Sequence, residues 1–198
     1  MENFDPKEEL ELGLICFKRD DQIGARKHWE NVPNKEDDIN SYGKAQLNLG
    51  ISYYKEGDIE CARAYWENVP NREDDSNSYG KAQFNLGCSY DKEGDIERAR
   101  AYWENIPNRE DDFNSYVRAQ FNLGIFYGEK NDIEHTLEHW NNLLNVQCFF
   151  QKGEYNDSLK IYSAQKIVDY FKKKIVIKIV HLIYINLFNR FKSIPIIY

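Results

Sequence analysis

The chain has 198 residues, 30% charged and 41% apolar, with 11 Gly, 5 Pro and a net charge of −7. That length allows one or two globular domains, and abundant charge with little Gly or Pro suits a helical surface. Residues 165–198 set seven basic side chains against Asp169 alone, a balance of +6 that leaves −13 on residues 1–164; an acidic body excludes the basic footprint that a nucleic-acid partner needs.

The N-terminal MENFDPKEEL is acidic, has no apolar stretch and does not read as a secretory signal. Trp29, Trp66, Trp103 and Trp140 then follow at intervals of 37 residues. The segments 29–50 (WENVPNKEDDINSYGKAQLNLG), 66–87 (WENVPNREDDSNSYGKAQFNLG) and 103–124 (WENIPNREDDFNSYVRAQFNLG) keep the same interval. Leu12-Gly13 lies 37 residues before Leu49-Gly50, so a diverged unit precedes these. A period of this length predicts a solenoid, and four units exceed the roughly three that such a core requires.

Within one unit, Ala45, Leu49, Ser52 and Tyr53 form the stripe of an amphipathic helix. Gly57-Asp58 breaks it: glycine can take the left-handed conformation that ends a helix, and Asp can cap the next. A second helix is expected to bury Ile59, Ala62, Tyr65, Trp66 and Val69 and to stop at Pro70. Ala62 and Gly50 are small where the two helices approach, and the tryptophans are expected to fill the space between hairpins.

The segments NLGISYYKEGDIECARAYW and NLGCSYDKEGDIERARAYW resemble the tetratricopeptide repeat. In the fourth unit Asn131 stands for the turn glycine and Thr136 for the small alanine; in the first, Cys16 replaces a tyrosine and Asp20 the turn glycine. The 37-residue period, near that of the longer Sel1-like relatives, puts its extra residues in the loop between hairpins, NREDD plus SNSY. The resemblance covers residues 7–146 and implies an all-α fold, a right-handed α-solenoid of antiparallel helix hairpins. Residues 1–146 are read as four hairpin repeats, 147–171 as a degenerate half-repeat, and 172–198 as a basic, hydrophobic tail.

In arrays of this kind the first helix of each hairpin lines the concave surface. Lys44, Asn48, Ile51 and Lys55 share one face there, opposite the core stripe, with equivalents Lys81, Asn85, Cys88, Lys92 and Arg118, Asn122, Ile125, Glu129. Two ladders result: Asn48, Asn85, Asn122 and Lys44, Lys81, Arg118, the second extended by Lys7 and the first interrupted by Glu11. A carboxamide matches a peptide backbone with both donor and acceptor, and a neighbouring cation holds a carboxylate. The family resemblance implies the same use, so the expected ligand is an extended peptide or partner segment, with an acidic or C-terminal carboxylate as the finer possibility. Duplication that copied an inert surface is the competing account. Leu47/Phe84/Phe121 and Tyr54/Asp91/Gly128 vary and would set side-chain preference.

Other features have plainer explanations. The acidic runs 36–38, 73–75 and 110–112 lack the alternating ligands and glycine turn of a calcium loop and read as helix caps. His135 and His139 are one turn apart without a convincing third metal ligand. Cys16, Cys61, Cys88 and Cys148 form no CxxC pair and read as free thiols of a reducing, cytoplasmic compartment. No nucleophile elbow, metalloprotease helix or phosphate loop is present, so neither catalysis nor a cofactor is expected. The tail, KKKIVIKIVHLIYINLFNRFKSIPIIY, has an apolar run from Ile175 to Phe188 of about 14 residues, broken by Lys178, His181 and Asn186 and short of a spanning helix. Three readings stand: a capping helix, an interfacial membrane anchor through Lys172–Lys174, or a decayed, out-of-frame end. A membrane-held regulatory subunit and a self-assembling array are the alternatives to a binding scaffold.

Overall fold

A computed structural model describes residues 4–35, 38–72, 76–109 and 112–145. Among them every regular element is a helix: α1 (Pro6–Lys18), α2 (Gln22–Glu30), α3 (Ile39–Glu56), α4 (Ile59–Glu67), α5 (Ser76–Glu93), α6 (Ile96–Glu104), α7 (Phe113–Glu129) and α8 (Ile133–Asn145). Each odd-numbered helix packs antiparallel on the even-numbered helix that follows, giving four hairpins, and each hairpin packs on the next. Met1–Val146 is one compact unit. The half-repeat at 147–171, the tail at 172–198 and Cys148 lie outside the described residues.

The hairpin turns are set locally, and alike in all four units. Asp20, Gly57, Gly94 and Asn131 have positive φ of 66°, 88°, 84° and 59°. The next residue in each case is Asp, and its N–H reaches back to Cys16, Tyr53, Tyr90 or Tyr127 O at 3.0 Å, closing the preceding helix with a Schellman-type bond. The same four aspartates cap the following helix: Asp21, Asp58, Asp95 and Asp132 Oδ1 accept from the N–H of Gly24, Cys61, Arg98 and His135 at 2.8, 3.0, 3.1 and 3.2 Å.

Two boundaries differ from expectation. The first helices begin earlier: α5 starts at Ser76 and α7 at Phe113, so SNSY and FNSY form a first helical turn rather than loop. The reason is visible at α7, where Asp112 accepts from Ser115 N–H at 3.4 Å and Ser115 itself is buried. The extra length relative to a shorter repeat thus lengthens the helix. The second helix of the second hairpin ends sooner: α4 stops at Glu67, where Asn68 and Val69 N–H bond back three residues to Tyr65 and Trp66 O at 3.2 Å. Pro70 follows a helix that has already closed.

The core repeats with the chain. Ala45, Leu49, Ala62, Ala82, Leu86, Ala99, Ala119 and Leu123 are all fully buried, and the tryptophans nearly so. Each indole packs inside its own hairpin, where a β-carbon at Gly13, Gly50, Gly87 or Gly124 would fall on Trp29, Trp66, Trp103 or Trp140 respectively, and Trp29, Trp66 and Trp103 also reach the next hairpin. Trp29 and Trp66 Nε1 donate to Leu10 and Leu47 O at 3.3 and 3.2 Å, which fixes the rings on the first helix. From there Trp66 joins Ala82 and Leu86 of the next hairpin in one cluster. In the fourth unit Thr136 takes the small-residue position and buries its hydroxyl against Asp132 O at 2.6 Å. Successive first helices also touch, α1 on α3, α3 on α5 and α5 on α7, whereas second helices of successive hairpins have no contact on that scale. The array therefore draws its first helices together and splays its second helices.

Candidate peptide-binding groove

The basic and carboxamide rows stand on α3, α5 and α7, the helices drawn together. Lys44 and Lys81 are exposed, without an ion-pair partner among the described residues. Arg118 is exposed too, but its guanidinium lies over the Phe84 ring of α5, 4.8 Å from the centroid. Asn48, Asn85 and Asn122 are half-buried, and none of the three carboxamides has a hydrogen-bond partner among the described residues.

The apolar members of the row are divided. Ile51 is half-buried and packs against the core cluster around Trp66, which makes it part wall and part core. Cys88 is half-buried in the next cluster, where burial pushes its thiol up to about 11. Ile125 and Asn122 line a cleft of about 260 Å³ with Asp91, Ile96, Trp103, Phe126 and Glu129. This cleft lies between α5–α6 and α7; residue spacing alone does not disclose it. Lys55 and Lys92, expected as groove residues, are engaged: Lys55 Nζ sits 5.1 Å from the Phe17 centroid and 2.6 Å from Asp20, and Lys92 Nζ 5.5 Å from the Tyr54 centroid.

Two further patterns, one between the hairpins and one inside them, were not read from the sequence. Arg26 reaches Glu56 at 2.6 Å and Arg63 reaches Glu93 at 2.8 Å, each from a second helix to the end of the next first helix. Their guanidiniums also cover Tyr53 and Tyr90. At the third junction Lys130 stands where Glu56 and Glu93 stood, and Arg100 turns to Glu97 and Glu104 of its own helix while Lys130 pairs with Glu97. Inside the hairpins, Tyr53 stacks on Tyr65 and Tyr90 on Tyr102, with centroids 5.3 and 5.4 Å apart. Reading the arginines and their glutamates at the common interval would have found the first pattern, since both recur with the tryptophans.

The two neighbouring histidines stack on Tyr127. His135 pairs with Asp132 at 2.7 Å, and that hydrogen bond raises its pKa. His139 Nδ1 lies 2.8 Å from Gln120 Oε1, and burial lowers its pKa. Among the described residues no group of three or more His, Cys, Asp or Glu is placed to hold a metal ion. Nor, among them, is any helix long and apolar enough to cross a membrane.

A model of the tetratricopeptide repeat matches residues 44–76 and 81–111, each span taking in most of a first helix and the whole of the second. The array is one of tetratricopeptide-like repeats. No curated protein matches the chain. Tetratricopeptide repeats generally mediate protein–protein interaction and are typically non-enzymatic scaffolds. In this tetratricopeptide-like array Lys44, Lys81 and the three asparagines stand on first helices with no ion-pair or side-chain hydrogen-bond partner among the described residues.

Proposed function

We propose that the protein is a cytoplasmic interaction scaffold whose first helices bind an extended segment of a partner protein. The observation that carries this reading is the row of half-buried, unpartnered carboxamides at Asn48, Asn85 and Asn122. The three amides keep access to solvent, and a peptide backbone can replace that water with donor and acceptor at once. Lys44 and Lys81 beside them suit a carboxylate on the bound segment, from an acidic side chain or a chain end. Arg118 joins them only by leaving Phe84. Ile51 and Ile125 supply apolar wall. Among the described residues Cys16, Cys61 and Cys88 are free thiols, which suits a reducing compartment.

Replacing Asn85→Ala together with Asn122→Ala is expected to weaken peptide binding about ten-fold or more while leaving the thermal midpoint unchanged. Titration of randomised fluorescent peptides followed by anisotropy, beside thermal unfolding, measures both; equal affinity in wild type and variant would sink the proposal.

Self-assembly is a second reading, favoured by Leu12. It is 36% exposed where its equivalents Leu49, Leu86 and Leu123 are fully buried, because no hairpin of the described residues packs on that side of α1. Light scattering after size exclusion tests it: a monomer at micromolar concentration rejects it.

A further inference from the structure

We infer that the cleft between the third and fourth hairpins receives a basic side chain, lysine or arginine, of the bound partner segment. The inference rests on the groove reading above and assigns one subsite within it. Its basis is what the same register holds at the two earlier junctions. Between the first and second hairpins, Lys55 lies over the ring of Phe17; between the second and third, Lys92 lies over the ring of Tyr54. Each of those junctions thus carries its own cation on an aromatic face. One interval further on, Asp91 stands where Phe17 and Tyr54 stood, and Glu129 where Lys55 and Lys92 stood. In that register the internal cation has gone and two carboxylates have come in, while Arg100 and Lys130 lie over the Phe126 ring, 5.8 and 4.3 Å from its centroid.

At that junction the groove opens into the cleft of about 260 Å³. Its walls are Ile96, Trp103, Ile125 and Phe126, and its rim carries Asp91, Glu129 and Asn122. The neighbouring cations are otherwise engaged. Lys92 lies on Tyr54, Arg118 on Phe84, and Lys130 on Phe126 while paired with Glu97. Neither Asp91 nor Glu129 has an ion-pair partner among the described residues. An aliphatic stem against Trp103 and Ile125 with a charged head between two carboxylates is the chemistry of a lysine or arginine side chain. A carboxylate bound near Lys44 and Lys81 would then sit toward the second hairpin and the basic residue toward the fourth. Successive helices lie roughly 8–10 Å apart, so extended chain advances about three residues per hairpin. The bound segment is therefore polar in charge, and it has one orientation.

The test uses the full chain and four pools of fluorescein-labelled decapeptides. Each pool has a fixed central residue (Lys, Arg, Glu or norleucine) among positions randomised over Ser, Ala, Asn, Leu and Glu. Anisotropy should show the Lys and Arg pools binding about ten-fold tighter than the norleucine and Glu pools. The variant Asp91→Tyr with Glu129→Lys restores the residues of the preceding junction, a pair the same fold already accommodates at Tyr54 and Lys92. It should bind all four pools alike. Equal binding of the pools by the wild type, or a preference for Lys and Arg that persists in this variant, overturns the inference and leaves the groove reading standing. The variant Asn48→Ala with Asn85→Ala lies off the cleft. If it binds every pool as the wild type does, the groove reading fails, whatever the outcome at Asp91 and Glu129.

Discussion

Gly87 has no room for a β-carbon, since the Trp103 indole occupies that space, and Gly50 stands in the same relation to Trp66. Gly87→Ala must displace a rigid ring from a closed core, and overpacking of this kind is expected to cost about 1–3 kcal/mol. Urea unfolding of the variant measures it. The glycine was legible in the sequence as a place of close approach, but its partner was not. Spacing shows that Gly50 and Trp66 recur together; which face of the second helix meets which turn of the first depends on how the hairpin closes. At His139 burial lowers the pKa, and at His135 the Asp132 carboxylate raises it. Their linkage to stability therefore has opposite sign. His139 contributes stability that is full above the unfolded value of about 6.5 and is lost as pH falls through its lower folded value; His135 contributes below about 6.5 and loses it as pH rises through its higher one. Histidine ring-proton titration by NMR should find His135 titrating at the higher pH of the two, and a reversed order would contradict the packing around Tyr127.

At the scale of helices, the hairpin turn is a local device and the junction between hairpins is not. The left-handed residue followed by a capping aspartate was readable at Gly57-Asp58, and it holds even where Asp20 or Asn131 replaces glycine. Short polar side chains tolerate that backbone better than others do. The start of the first helices was misread because Asn and Ser at 77–78 and 114–115 favour turns in isolation; Asp112 and the burial of Ser115 override that preference. Between hairpins, Arg63 is held by Glu93, Ser89 and the Tyr90 ring. Glu93→Lys should weaken the α4–α5 junction by about 0.5–1 kcal/mol, a modest figure because Glu93 is half-exposed. Denaturation in a double-mutant cycle with Arg63→Glu should recover part of that loss.

Across the whole array, each hairpin meets only its neighbours, so stability accumulates unit by unit. Removing one full period, residues 51–87, joins Gly50 to Cys88 in the register the intact chain uses at Gly87-Cys88. The shortened protein should stay helical and cooperative with a lower thermal midpoint. A deletion of 35 residues ending at the same place should instead lose cooperative unfolding, because the two residues left over would turn the core stripe by about 200°, away from its neighbour. Circular dichroism with thermal melting distinguishes the two.

The sequence by itself determined the period, the helical hairpin, its turn and the residues that fill the core, because all of these are local patterns repeated in register. It also placed the asparagine and lysine rows on one helix face. Tertiary structure decided which members of those rows are free. Lys55, Lys92 and Arg118 settle on aromatic rings contributed by the preceding hairpin. Ile51 turns partly into the core, and Asn122 and Ile125 come to line a cleft with Asp91. Those outcomes depend on distances between units that lie one period apart along the chain but side by side in space, and helical periodicity within a single unit carries no information about them.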